Sequence, residues 1–188
     1  MKMKREKGVT LIELAVVMAI VGIMALFMAP AIGEWLDNFR IKQAARDMAS
    51  DLQFAKMNAI SSGVSCTIVF NQLVAGTQYS YVIFPDYNNN LQLDPGNETT
   101  NIFKQVSLGK NISFDTTKSG GDGIDFPVVN GHPAITFDRS GLPRDINGRL
   151  LDQTIPNSQE SIYLLDTKIS KHQQITVSLS GRIGINGY

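Results

Sequence analysis

Hydropathy divides the chain into three stretches with different periods. Residues 14–32 form a run of 19 positions without a charge, long enough for a helix to cross the hydrocarbon of a bilayer. In residues 34–61 the pattern becomes amphipathic. Ile41, Ala45, Met48, Leu52, Ala55 and Ala59 recur three and four apart, one apolar stripe of a helix. Arg40, Lys42, Arg46, Asp47, Asp51 and Lys56 are assigned to its other faces. Ser61, Ser62 and Gly63 supply a stop, with glycine suited to a left-handed C-cap. Residues 9–61 therefore predict one helix about 80 Å long at 1.5 Å per residue, bent at Pro30, which lacks a backbone donor.

Beyond Gly63 short runs of β-branched and aromatic residues predict strands at 65–70 and 79–84, with Gly76 and Thr77 as the turn between them. Further strands are predicted at 102–108, 112–114, 134–138, 161–165 and 174–179. Polar loops separate them, notably residues 86–96 and 145–160. The predicted fold is α+β: a long N-terminal α-helix, membrane-spanning in its first half, packed on antiparallel β-sheets. The organisation is a leader at 1–8, a span at 9–33, an amphipathic continuation at 34–62 and a β-rich domain at 63–188.

Charge refines this picture at the N-terminus. Lys2, Lys4, Arg5 and Lys7 precede Gly8, and a single acid, Glu13, sits at the lip of the apolar run. An acid so placed is costly without a partner and marks a functional position. The positive-inside rule puts the basic leader in the cytoplasm and everything beyond Gly33 outside. The first eight residues hold four of the 17 basic and one of the 17 acidic side chains, leaving 13 against 16. That is a poor start for non-specific nucleic-acid binding. Cys66 is the single cysteine, so no intrachain disulfide forms; in a strand it reads as a small buried apolar residue.

The basic leader, Gly8, the segment Val9-Thr10-Leu11-Ile12-Glu13 and the span that follows resemble the class III signal of type IV pilins and pseudopilins. That resemblance implies cleavage by a prepilin peptidase between Gly8 and Val9, and N-methylation of Val9. The family more often carries phenylalanine where Val9 stands. The resemblance further implies that Glu13 pairs with the free N-terminus of another subunit during filament assembly. The segments FDRSGLP at 137–143, SLSGRI at 178–183 and VIFPD at 82–86 with its Asn-rich loop extend the likeness to the GspH/FimT-type minor pseudopilins. Implied partners are other pseudopilins or pilins through the N-terminal helix, and the peptidase. The implied location is the bacterial inner membrane, single-pass, with the C-terminal domain periplasmic. The function implied is a structural subunit of the type II secretion pseudopilus, with a minor pilin of a type IV pilus assisting DNA uptake as the alternative.

Three constellations carry candidate chemistry. Asp86, Asn88, Asn90 and Asp94 alternate as oxygen ligands do in calcium loops. Leu91 nevertheless stands where such a loop needs glycine, and an Asn/Asp turn bonding its own backbone explains the same pattern. Arg182, after Gly181, is the candidate DNA contact, although DNA-uptake relatives carry a second basic residue where this chain has Gly184. His132 and His172 fit no triad or metal spacing, and His132 reads as an exposed loop residue. Trp35 reads as an interfacial aromatic. No enzymatic activity and no cofactor is expected, with calcium at Asp86, Asn88, Asn90 and Asp94 as the one candidate.

Overall fold

A computed structural model describes residues 8–145, 147–148 and 159–188; within it the side chains of residues 26–32, 34 and 159 are not described. The leader at 1–7 lies outside the described residues, as does most of the predicted loop 145–160.

Helix α1 (Leu11–Ser62) starts two residues later than the periodicity suggests, because Thr10 is its N-cap. It ends at Gly63, whose φ of 69° is the left-handed C-cap, with the cap N–H donating to Ala59 O. Every described side chain from Val9 to Met24 is exposed, whereas the stripe Ile41, Ala45, Met48, Leu52, Ala55 and Ala59 is buried to 1 % or less. Among the described residues no helix is long and apolar enough to cross a membrane. The predicted span 9–33 includes residues 26–32, whose side chains, Pro30 among them, lie outside the described residues.

Among the described residues ten strands follow, in two antiparallel sheets. The first is built on the hairpin β1 (Ser65–Val74) and β2 (Thr77–Asp86), both longer than predicted. The turn is Ala75–Gly76 rather than Gly76–Thr77. Both residues have positive φ, 49° and 82°, which a two-residue hairpin turn needs to match the strand twist. β3 (Lys104–Val106) extends the β2 side, while β6 (His132–Phe137), β5 (Val128–Val129) and β7 (Pro143–Arg144) extend the β1 side. In the second sheet the order is β10 (Ile183–Asn186), β9 (Lys171–Ser178), β8 (Gln159–Asp166), β4 (Ile112–Phe114).

The main core lies where α1 meets both sheets. Met48 and Leu52 pack with Ile68, Phe70, Ile83, Ile135, Ile162 and Ile175. Burying each of the larger side chains contributes about 1.5–3 kcal/mol. A second cluster, Val69, Val82, Phe84, Leu91, Val129 and Ala134, covers the opposite face of the first sheet. β1 is consequently buried on both faces, which explains its continuous apolar run.

Two polar positions differ from expectation. Asp51 is 6 % exposed instead of solvated. It accepts hydrogen bonds from Tyr81 Oη at 2.7 Å and from Lys104 Nζ at 2.6 Å, because β2 and β3 reach across the helix. Burial raises the Tyr81 phenol pKa well above its ordinary value, and the hydrogen bond to Asp51 and its negative charge add to the shift. His132 is in strand β6 and half-buried rather than in an exposed loop, and its buried Nδ1 has no hydrogen-bond partner among the described residues. Cys66 is buried as expected, and burial, with the Asp86 charge, pushes its thiol up to about 12.

Candidate assembly site and the loops around the domain

The start of α1 is organised by Thr10 and Glu13. Thr10 N and Thr10 Oγ1 both donate to Glu13 Oε2 at 2.8 Å, and Glu13 N donates back to Thr10 Oγ1 at 3.3 Å. This reciprocal arrangement is a capping box, in which side chains satisfy donors that the first turn leaves free. Both contacts fall on one oxygen; among the described residues Oε1 has no hydrogen-bond partner. Val9 is 77 % exposed and immediately precedes the cap. Gly8 is exposed as well, and a Cβ there would meet nothing within 4 Å. The geometry therefore leaves Gly8, Val9 and one carboxylate oxygen of Glu13 accessible together. Thr10 was missed as a capping residue, although T-x-x-E before an apolar run is a capping-box signature.

The Asp86–Asp94 segment is folded by its own hydrogen bonds. Asp86, 1 % exposed, accepts from Thr67 Oγ1 at 2.9 Å, Leu91 N at 2.9 Å and Asn90 N at 3.2 Å, so both carboxylate oxygens are engaged. Asn88 and Asn90 each turn Nδ2 toward Asp94 Oδ2 at 2.8 Å. A calcium ligand would present oxygen instead. Glu98, which the ligand pattern did not include, accepts from Tyr87 N at 3.0 Å and Asp94 N at 2.9 Å. Burial raises its pKa against the two backbone hydrogen bonds that lower it. Among the described residues no group of three or more His, Cys, Asp or Glu is placed to hold a metal. The four predicted ligands thus come together in one turn, held by these internal hydrogen bonds. What the turn accomplishes is the insertion of Leu91 into the second core.

The other two sequence segments converge. The turn after β6 and the turn between β9 and β10 meet beside the last turns of α1. A Cβ on Gly181 would lie 2.6 Å from Gly141 O, and one on Gly141 would lie 2.7 Å from Ile60 Cδ1. Lys56 Nζ donates to Gly181 O at 2.9 Å. Arg182 follows on the surface, and the open cleft it borders is otherwise lined by uncharged residues, among them Thr176, Ser178 and Asn186.

A family model for the type II transport protein GspH matches residues 44–181. The chain belongs to that family. A second model, the prokaryotic N-terminal methylation motif, matches residues 3–29. The pilin-like protein PilA1 of Thermus thermophilus is 31% identical over 140 residues, covering 73% of this chain and 80% of that protein. Among solved structures the minor pseudopilin EpsH from the type 2 secretion system of Vibrio cholerae is similar, at 12% identity and TM-score 0.45, covering 79% of this chain and 97% of that one. The type IV minor pilin FimU of Pseudomonas aeruginosa is similar at 13% identity and TM-score 0.42, covering 77% and 91%. This GspH-family protein is a structural subunit of the pilin and pseudopilin type. Its family match takes in the buried half of α1 and both sheets up to the Gly181 turn, while the methylation motif takes in the Thr10–Glu13 cap.

Proposed function

We propose that the protein is a minor pseudopilin, a subunit of the short periplasmic filament of a type II secretion system. Residues 9–33 anchor it in the bacterial inner membrane, with the leader in the cytoplasm and the β-rich domain in the periplasm. A prepilin peptidase cuts between Gly8 and Val9 and methylates Val9. The new α-amino group of one subunit then pairs with Glu13 of another. What supports this reading is the capping box: Thr10 holds Oε2 of Glu13 and leaves Oε1 for an incoming cation. Between packed helices, where the dielectric is low, that attraction is strong and an unpaired partner is costly, so it sets the axial register of assembly.

A second reading, a minor pilin of a type IV pilus, is favoured by the likeness to PilA1, which is described as pilin-like. DNA capture through Arg182 draws no support from its cleft, whose other lining residues are uncharged.

Two measurements in the native host test the reading. The intact mass of the membrane-extracted protein is expected to lack residues 1–8 and gain one methyl group only when the peptidase gene is present. Deletion of the gene is expected to abolish export of secreted enzymes and leave surface pili intact. Loss of pili with normal export would replace the first reading with the second. An uncleaved N-terminus in both strains would overturn both.

A further inference from the structure

Where α1 enters the β-rich domain, aromatic and cationic side chains gather from distant parts of the chain. Trp35 and Phe39 are 67% and 47% exposed and stack at a centroid distance of 6.0 Å. Two residues from each ring, on the other side of the helix, the buried carboxylate of Asp37 accepts from two cations, Arg40 Nη1 at 3.0 Å and Lys168 Nζ at 2.6 Å. Lys168 comes from the turn between β8 and β9, so this pair fastens that turn to the helix and leaves one positive charge in excess. Beside it lies an open cleft of about 420 Å³ lined by Asn38 and Lys42 of α1 and by Ser170, Lys171, His172 and Gln173. Lys42 and Lys171 are exposed and have no acidic partner among the described residues. The nearest described acids, Asp115 and Asp166, are buried carboxylates that offset two of these positive charges and leave a surplus of one. Asp115 is fully buried under His172, Thr117 and Tyr188, and Asp166, 1% exposed, accepts the N–H groups of Lys168 and Ile169. The surplus is local, because the chain beyond residue 8 is acidic overall, with 13 basic against 16 acidic residues.

We infer that this cleft binds the phosphate of an anionic lipid headgroup, so that the membrane-facing end of the domain rests on the bilayer surface. The inference rests on the anchored reading given above. Amphipathic rings favour the headgroup level, where one edge is apolar and the other wet. Clustered lysines next to a span draw anionic lipid, with a preference of about fivefold for each lysine near the surface. Trp35 and Lys42 are seven residues apart, about 10 Å along a helix, while the headgroup layer is about 5–8 Å deep. The lysine stems make up the difference by reaching down along the apolar surface. Ser170 and the second amide hydrogen of Gln173, whose first donates to His172 O, supply neutral donors for the phosphate oxygens. A neighbouring protein subunit is a different occupant, and the headgroup is favoured because the aromatic pair and the free cations lie at the level where the proposed span ends.

Trp35 is the only tryptophan in the chain, which makes it a reporter at the site. The full-length protein is reconstituted in phosphatidylcholine vesicles containing traces of dansyl-labelled phosphatidylglycerol or dansyl-labelled phosphatidylcholine, and energy transfer from Trp35 is compared. At low salt the anionic label is expected to be enriched about fivefold or more over the zwitterionic one. The enrichment is expected to fall close to one in the Lys42→Gln/Lys171→Gln double variant. Equal transfer to both labels in the wild type would overturn the headgroup site. So would loss of the preference on adding inorganic phosphate at matched ionic strength, which would make the cleft a site for a free anion. Protection of Lys42 and Lys171 from acetylation only in assembled filaments, with no lipid preference, would assign the cleft to a neighbouring subunit and likewise overturn it. Alkaline carbonate separates the two levels. Protein washed off the vesicles refutes the anchored reading and the headgroup site with it, whereas protein that stays without lipid preference refutes the headgroup site alone.

Discussion

Replacing Gly181 by alanine tests how the two surface turns are held against the helix. Gly181 has a φ of 70°, and a Cβ would stand 2.6 Å from Gly141 O, a backbone atom, and 3.1 Å from Lys56 Nζ. Ordinary contact begins near 3.4 Å, so the turns must part by about 0.8 Å. The left-handed conformation costs an alanine about 1–2 kcal/mol, offset by about 0.4–1 kcal/mol of lost unfolded-state freedom. Overpacking adds about 1–3 kcal/mol. Gly181→Ala is therefore expected to destabilise by about 1–5 kcal/mol, centred near 3. Gly63 is the control: its φ is nearly the same, 69°, but a Cβ there would meet nothing within 4 Å. Gly63→Ala should cost about 1 kcal/mol, the conformational share alone. At Gly141 the obstacle is the flexible end of Ile60, so its alanine variant falls between the two. Urea titrations of the full-length chain in detergent, followed by near-ultraviolet circular dichroism, supply the midpoints. If Gly181→Ala is no worse than Gly63→Ala, the close approach of the turns contributes nothing and the reasoning fails.

Three further expectations follow from the hydrogen bonds. Glu13→Gln keeps a side chain able to cap Thr10 but removes the charge, so it should insert and be processed while failing to join filaments; wild-type assembly, read by crosslinking, would refute the pairing role of the carboxylate. Burial acts to raise the Asp115 pKa, but hydrogen bonds from Thr117, Tyr188 and His172 outweigh it and hold the carboxyl at about 2. Against an unfolded value of about 3.9, the folded state binds fewer protons, so this stabilisation is complete above about pH 4 and lost as pH falls toward 2. Urea midpoints between pH 5 and 2 should fall in that window, and Asp115→Asn should flatten that part of the fall. Asp86→Ala removes the acceptor of Thr67, Asn90 and Leu91 and should cost about 2–4 kcal/mol; calcium should move the melting temperature of neither protein, and a rise in the wild type alone would restore the metal site.

The apolar stripe of α1 was legible because helix periodicity reports burial directly: all six predicted stripe residues are core residues. Gly63 was legible as the helix end, and the segment around Gly8–Glu13 as part of an N-terminal methylation motif, because both are local patterns. Seven strand positions were legible, whereas the short strands β5, β7 and β10 and most strand ends were not. β1 and β2 outrun their apolar runs, since the polar residues at their tips are held by cross-strand pairing rather than by burial. The Asp86–Asp94 pattern was ambiguous in one dimension, because alternating Asp and Asn side chains serve equally as metal ligands and as acceptors for backbone N–H groups. Only the direction of their oxygen and nitrogen atoms distinguishes the two.

Local spacing of residues thus determined the long helix, its buried face, its N-terminal motif and the mainly antiparallel strands that follow. Tertiary structure decided which charged residues are buried and which sequence-distant groups meet. Asp51 reads as a solvated helix residue until β2 and β3 bring Tyr81 and Lys104 to it. Asp37 and Lys168 are 131 residues apart, and Lys56 and Gly181 are 125 apart. Such contacts depend on strand order and on the packing of two sheets against one helix. A periodicity of two or 3.6 residues shows which face is apolar but not what covers it.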